Sequence, residues 1–142
     1  MNRRESMVRL KRFRVDELKR HMATLDGMRA DVARKLTDLE DSIARERQRA
    51  NDSDLGRLAF PSFLKAMDAR RDNLQATLRE IERERGQAQN VFGDAHQELK
   101  SLELANEQDV KRAAESQLRK SGARLGDLAL SRQLRKQALR HV

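Results

Sequence analysis

The sequence contains no cysteine, tryptophan or tyrosine, a single proline, and four phenylalanines as its whole aromatic content. Without cysteine the chain has no disulfide framework and no cysteine-based zinc or thiol chemistry. Aromatics make up 3% and charged residues 38% of the 142 residues, so the chain lacks the side chains for a wide globular core. The Leu, Ala, Glu, Lys and Arg content instead favours long helices that bury one narrow stripe.

The sequence also lacks a long apolar run. A membrane-spanning helix needs roughly 20 consecutive apolar residues, and no stretch of this chain approaches that length. The N-terminus, Met1-Asn2-Arg3-Arg4-Glu5, leads into charged sequence without the apolar core of a signal peptide. We therefore expect a cytoplasmic protein.

What the chain has instead is an apolar residue at every third or fourth position between Leu64 and Leu102. A strict seven-residue repeat of this kind keeps a narrow stripe turned toward a neighbouring helix, which is the seam of a coiled coil. One heptad position holds Leu64, Leu78, Phe92 and Leu99, and the position three residues later holds Met67, Leu74, Ile81, Ala88, Ala95 and Leu102. This pattern predicts a long helix that needs a partner.

The N-terminal part of the chain carries a matching stripe over about six heptads. It runs through Val8, Val15, Met22, Leu36 and Ile43 at one position and through Leu18, Leu25, Val32 and Leu39 at the other. Lys11 and Arg29 are its polar exceptions. Because the two stripes are nearly equal in length, we expect them to pack on each other within one chain.

Local sequence breaks separate the stripes. The segment Asn51-Asp52-Ser53-Asp54-Leu55-Gly56 gathers poor helix formers and turn residues. Pro61 disfavours a helical conformation at Phe60 and is well placed in a first helical turn. Ser121-Gly122 predicts another break, followed by a short helix-compatible segment.

These observations predict an all-α fold, a long antiparallel two-helix coiled-coil hairpin with a C-terminal helical overhang. We expect a single domain over residues 1–142. Its parts are a first helix over 5–50, a turn over 51–61, a second helix over 62–120 and a basic tail over 121–142. We expect that tail to be frayed or ordered only by a partner.

Arms of equal length allow a register in which the numbers of facing residues add up to about 112. In that register Arg71, at a seam position, lies near Glu40 and Asp41, which provide partners for its charge. Arg29 and Arg85 also occupy seam positions and come close together. The acidic residues that can neutralise them are Asp26, Asp31, Glu80, Glu82 and Glu84.

Charge is distributed unevenly along the chain. Residues 1–20 contain eight basic and three acidic side chains, and residues 111–142 contain nine and two. In an antiparallel hairpin both segments reach the same open end, which becomes strongly positive. An acidic or polar protein surface is the simpler partner, because single-strand nucleic-acid readers interleave aromatics with basic residues and only Phe13 lies near this end. Membrane binding is less favoured still, since neither terminus has aromatic anchors beside its charges.

The sequence shows no motif for catalysis. His21, His96 and His141 are far apart and have no metal-ligand spacing, so we interpret them as solvated surface histidines. There is no Gly-rich phosphate loop and no nucleophile motif, and a thin hairpin offers no deep pocket in which a pKa could be tuned. We expect a protein that is not an enzyme and takes no metal, cofactor or small-molecule substrate.

Three segments resemble the FliJ-type flagellar export proteins. They are the opening Arg9-Leu10-Lys11-Arg12-Phe13-Arg14-Val15-Asp16-Glu17, the segment Phe60-Pro61-Ser62-Phe63, and Arg70-Arg71-Asp72-Asn73-Leu74 leading into the second arm. The resemblance covers roughly residues 4–118. Chain length, basic balance, a central turn and a longer second arm agree with it.

The resemblance implies a cytoplasmic component of the flagellar type III export apparatus, peripherally associated with its membrane-embedded part. The family's hairpin is similar to the central stalk of rotary ATPases: its open end is held in the export ATPase ring and promotes ring assembly. The hairpin links that ring to the export gate and handles export chaperones. The implied ATPase-binding residues are Arg9, Lys11, Arg12, Arg14, Lys111, Arg112, Arg119 and Lys120. The implied gate or chaperone surface lies near Arg70, Asn73 and Arg79.

Two alternatives stay open at this point. One is a basic coiled-coil arm that binds RNA or ribosomes, and the other is the equivalent stalk of a virulence type III secretion system. The free chain is expected to be a monomer, because Pro61 and the turn residues before it oppose a straightened helix that would pair with a second chain.

The middle of the hairpin is expected to be its softest part. Gly27 and Gly86 lie beside the seam arginines Arg29 and Arg85, and each glycine costs about 1 kcal/mol relative to alanine inside a helix. In a hydrogen-exchange measurement, the amides of residues 27–29 and 85–88 should exchange faster than those near Leu36 and Leu78. Equal protection across these segments would contradict the prediction.

Overall fold

The computed structural model describes residues 3–140 of the chain. Over that range it consists of two helices, α1 (Arg3–Asp52) and α2 (Asp54–Arg140). The two helices pack against each other, and the described residues contain no strand. The predicted all-α helical hairpin is confirmed.

The turn between the helices is a single residue, Ser53. Its Oγ accepts a hydrogen bond from the Gly56 N–H at 3.0 Å, and its carbonyl oxygen accepts one from the Arg57 N–H at 3.1 Å. Ser53 is therefore the N-cap of α2, because it satisfies an N–H that has no partner within the helix. A Cβ on Gly56 would lie 2.9 Å from Ser53 Oγ, so the close approach of the cap requires glycine.

The predicted turn over residues 51–61 is wrong in its extent, because α2 runs through Pro61 without a break. Pro61 lies about two turns inside α2, where its missing N–H removes one backbone hydrogen bond. The rings of Phe60 and Phe63, on either side of it, have centroids 6.3 Å apart, and the Arg47 guanidinium lies 5.7 Å from the Phe60 ring centroid. These contacts accompany the continued helix around the proline.

Helix α2 also continues past the break predicted at Ser121-Gly122 and ends at Arg140. Gly122 and Gly126 each disfavour helix by about 1 kcal/mol relative to alanine. The residues around them are mostly Leu, Ala, Arg, Lys and Gln, whose summed helix preference outweighs the two glycines. The predicted end of the second helix at residue 120 is therefore wrong. Residues 141–142 of the predicted tail lie outside the described range.

The core is a narrow stripe between the helices, and most of its buried side chains come from α1. The buried residues are Val8, Val15, Leu18, Leu25, Val32, Leu39, Ile43 and Ala50 on α1, and Ile81, Ala88 and Leu99 on α2. The other predicted seam residues, half-buried in the structure, are Met22, Leu36, Leu64, Met67, Leu74, Leu78, Phe92, Ala95 and Leu102. Burial of such side chains supplies about 1.5–3 kcal/mol each, so stability is spread along the stripe.

The chain divides into two compact units, residues 11–97 and residues 1–10 with 98–142. In the first unit, Arg71 Nε lies 2.7 Å from Glu40 Oε1, and Arg85 Nε donates a hydrogen bond of 2.9 Å to Asp26 Oδ1. The residue numbers of both pairs add up to 111, which agrees with the predicted register. In the second unit, Arg4 forms an ion pair with Asp109 and donates a hydrogen bond of 3.4 Å to the Ala105 carbonyl.

The charged seam residues of the first unit are paired as the register predicts. Arg71 has Asp68 Oδ1 3.2 Å from its Nη1, in addition to Glu40. Asp26 lies between the two central arginines, 2.9 Å from Arg85 Nε and 3.3 Å from Arg29 Nη2. One carboxylate therefore pairs with both arginines and offsets one of their two charges. It is the only one of the five predicted acids that pairs with them among the described residues.

This arrangement shifts the titration of the central pair. The hydrogen bond from Arg85 has the largest effect and lowers the pKa of Asp26. Burial opposes it, and the charges of Arg85 and then Arg29 lower the pKa further. The same hydrogen bond and the charge of Asp26 raise the pKa of Arg85. The ionised form of Asp26 is thus favoured in the folded chain over the unfolded chain.

A group whose folded-state pKa is lowered stabilises the fold above its unfolded-state pKa and loses that effect as pH falls through its folded-state pKa. The stability advantage of the wild type over Asp26→Asn should therefore be full at neutral pH. It should shrink below pH about 4, where an ordinary aspartate begins to protonate. Thermal unfolding followed by circular dichroism between pH 7 and pH about 2.5 measures this difference.

Asp31→Asn is the matched control, since Asp31 pairs with Arg34 on its own helix and is exposed. Such a pair contributes about 0.3–0.5 kcal/mol at most. A pH-independent difference between the wild type and Asp26→Asn, or an equal effect of Asp31→Asn, would contradict the role assigned to the pair.

Candidate protein-binding surfaces

The structure offers surfaces rather than an enclosed site. Within residues 3–140, no cluster of three His, Cys, Asp or Glu side chains is arranged to hold a metal ion. Over the same residues, neither helix has a segment apolar and long enough to cross a bilayer. The candidate functional residues are therefore judged by exposure, pairing and the helix face on which they lie.

The histidines differ from one another. His21 is exposed, as the sequence predicts, and His141 lies outside the described range. The prediction for His96 is wrong, because this side chain is half-buried and its ring stacks on Phe92 with centroids 5.6 Å apart. Its Nδ1 is buried and has no hydrogen-bond partner. His96 sits one turn after a seam phenylalanine, so the apolar face of its ring covers the edge of the seam.

Three predicted ATPase-binding residues, Lys11, Arg12 and Arg14, belong to the unit of residues 11–97. Arg14 Nη1 lies 3.7 Å from Glu17 Oε2. Lys11 is half-buried, and both Lys11 and Arg12 have interaction partners within the chain. The charge of Arg14 is thus partly balanced before any partner binds.

The other five predicted ATPase-binding residues belong to the unit formed by residues 3–10 and 98–140. This unit carries 13 basic and seven acidic side chains, a net charge of +6. The five residues are Arg9, Lys111, Arg112, Arg119 and Lys120. All five are exposed, and over the described part of the chain none of them forms an ion pair. Their full charge is therefore available to an acidic partner.

The predicted gate or chaperone residues do not form one surface. Arg70, Asn73 and Arg79 are all exposed on α2. Arg70 borders an open cleft that Lys35 and Met67 also line. Nine residues are two and a half helical turns, so Arg79 points away from the side on which Arg70 lies. A single partner surface contacts either Arg70 with Asn73, or Arg79.

Sequence reasoning missed an apolar surface beside the turn. Leu55 and Leu58 lie three residues apart on the first turns of α2 and are 78% and 79% exposed. Both leucines lie within residues 51–61, which the sequence predicts to be a turn. A turn has no helix face on which the two side chains would lie together. The spacing of the two leucines after a Ser53 cap is the signal that identifies it.

A second apolar surface was also missed, because the predicted break at Ser121-Gly122 divided it. Since α2 is continuous to Arg140, the leucines between residues 118 and 139 occupy one regular helix. All of them are exposed. The signal was present in the sequence as the seven- and three-residue spacings of Leu118, Leu125 and Leu128 across the glycines.

Comparison of the chain with protein-family models, curated proteins and solved structures finds no match in any of the three. The resemblance to FliJ-type proteins therefore depends on the sequence motifs.

Proposed function

We propose that this chain is a non-enzymatic stalk and adaptor of a flagellar type III export apparatus. In this proposal its basic open end binds the export ATPase ring and promotes ring assembly. The chain also links the ring to the membrane export gate and to export chaperones, and it works in the cytoplasm at the membrane-embedded apparatus. The observation that carries the proposal is the set of five exposed, unpaired basic residues in the unit with net charge +6.

Electrostatics explains how such a set would act. Basic side chains without internal partners attract an acidic surface from a distance and raise the association rate. Arg9, Lys111 and Arg112 lie on two packed helices, and long helices hold their side chains at fixed spacings. Lys11, Arg12 and Arg14 have internal interactions and would contribute less.

The gate and chaperone roles are proposed for α2. Arg70 and Asn73 are exposed one turn apart, which supports a shared contact with one partner. Arg79 faces away from Arg70 and would contact a different partner. Two adaptor contacts on opposite faces of one helix suit a protein that bridges two components.

The alternatives predict different behaviour of the same basic residues. An RNA- or ribosome-binding arm would use them to neutralise phosphates, and its affinity would fall steeply with salt. The leucine-rich, aromatic-poor surface of residues 111–140 does not favour that function, since single-strand binding relies on aromatic stacking. A virulence type III stalk would use the same fold and charge, and the genes next to this one distinguish the two systems.

Charge reversal at Arg119 and Lys120 tests the proposed ring contact. We expect Arg119→Glu with Lys120→Glu to weaken binding to the cognate export ATPase about tenfold, because two exposed contacts of about 0.7 kcal/mol each are replaced by repulsion. The full-length chain is titrated into the ATPase, and both binding and ATP turnover are measured at physiological salt.

The matched control is Lys35→Glu with Lys65→Glu, which changes net charge equally at exposed positions in the unit of residues 11–97. It should leave ATPase binding within about twofold of the wild type. Failure of the wild-type chain to bind the ATPase or alter its turnover would overturn the proposal. Tight RNA binding that survives physiological salt would favour the alternative.

A further inference from the structure

The C-terminal part of α2 presents a second heptad pattern that the hairpin does not use. We name the C-terminal stripe as the residues Leu118, Leu125, Leu128, Arg132, Arg135 and Leu139. Their spacings of seven, three, four, three and four residues keep them on one side of a helix. Because α2 is helical through Arg140, the stripe is a physical surface and not only a sequence pattern.

The stripe is distinct from the seam that holds the hairpin together. The seam positions of α2 continue through Ala113, Ser116 and Lys120. Leu118 follows Ser116 by two residues, which is about 200° around the helix. The stripe therefore lies roughly opposite the seam, and extending α1 would not cover it.

The leucines of the stripe are open to solvent. Leu118 is 73% exposed, Leu125 67%, Leu128 58% and Leu139 77%. A row of exposed leucines on one helix face, interrupted here by Ser121, Arg132 and Arg135, is typical of a protein interaction site. Such a row binds by burying apolar area, which a phosphate backbone does not offer.

The charge of residues 118–140 indicates which kind of partner the C-terminal stripe can bind. Residues 118–140 contain seven basic side chains and one acidic side chain, Asp127. Arg132 and Arg135 occupy positions within the stripe itself, between Leu128 and Leu139. An arginine held in a helix interface needs a carboxylate opposite it, because a buried unpaired charge is strongly destabilising.

A second copy of this chain does not supply that carboxylate. In a parallel pair in register, Arg132 would meet Arg132. In an antiparallel pair centred on Leu128, it would lie opposite Arg124. Asp127 is five residues before Arg132, more than one turn, and about 140° away around the helix. The charge pattern thus disfavours self-association through the stripe.

We propose that the C-terminal stripe docks an acidic amphipathic helix of another protein. Leucines of the stripe pack against the apolar face of that helix, and glutamates or aspartates of the partner pair with Arg132 and Arg135. Specificity follows from the charges, since a basic helix of the same apolar pattern is repelled. This docking surface stands independently of the proposed contact with the export ATPase ring.

A synthetic helix tests the proposal on the full-length chain. The probe is a fluorescein-labelled peptide of about three heptads with leucine at both seam positions and glutamate at the flanking positions. A second labelled peptide, the basic control, has lysine in place of every glutamate. Fluorescence anisotropy at physiological salt should show the acidic peptide bound at least about tenfold more tightly than the basic one.

Two variants locate the binding. Leu125→Ser with Leu128→Ser should weaken binding of the acidic peptide about tenfold or more, because two buried leucine contacts are lost. Arg132→Glu with Arg135→Glu should reverse the preference in favour of the basic peptide. Leu130→Ser with Leu134→Ser, on the opposite side of the helix, is the matched control and should leave the affinity within about twofold. Circular dichroism should show the same helix content in all variants, since every substituted side chain is exposed.

Several results would overturn the proposal. They are no binding of the acidic peptide at about 100 µM, equal affinity for both peptides, or an equal effect of the control variant. A wild-type dimer that Leu125→Ser with Leu128→Ser dissociates would identify a second copy as the occupant. Tight binding of single-stranded RNA that Arg132→Glu with Arg135→Glu removes, and the leucine variant retains, would identify nucleic acid.

Discussion

The interhelical ion pairs at the seam are the constraint on which the rest of the structure depends. Arg71 pairs with Glu40 and Arg85 with Asp26, so the two pairs are separated by 14 residues on each helix. The apolar heptads alone would pack almost as well after a slip of seven residues, because leucine would again meet leucine. The charged residues would not be accommodated by such a slip. Slipping one way puts Arg47 opposite Arg71, and slipping the other way puts Lys19 opposite Arg85. Both alternatives oppose like charges and leave a seam arginine without its carboxylate, so the ion pairs select one register.

Register determines which residues are left over for binding. Helix α1 begins at Arg3, and Arg4 pairs there with Asp109. Beyond this pair, from Lys111 to Arg140, all α2 residues except Ser116 are exposed. Four of the five exposed, unpaired basic residues and the C-terminal stripe lie in this part of α2. Helix length and register therefore separate the structural part of α2 from the part that is available to partners.

Periodicity in the sequence predicted the features that depend on long-range pattern. The two stripes, the antiparallel register and the pairing of Arg71 with Glu40 follow from spacings of three and four residues repeated over many turns. The features that depend on local preference were predicted less well. Pro61 and Gly122 are poor helix residues, yet α2 runs through both. Strong helix formers surround Gly122 and outweigh its local preference. The real turn depends on the Ser53 cap and its close approach to Gly56, which are visible only in three dimensions.

The candidate binding residues also have properties that the sequence predicts and properties that only the structure shows. Sequence charge identified Arg9, Lys111 and Lys120, but it could not show that Lys11 and Arg12 have internal partners. Nor does composition distinguish Leu99, which is buried, from Leu125, which is exposed. Both leucines lie on α2, and they differ only in whether another helix covers them. For Leu99 the hairpin supplies the covering surface. For Leu125, with Arg132 and Arg135 in the same row, a covering surface must bring both apolar area and negative charge. The chemistry of the proposed partner thus follows from the residues that the fold leaves uncovered.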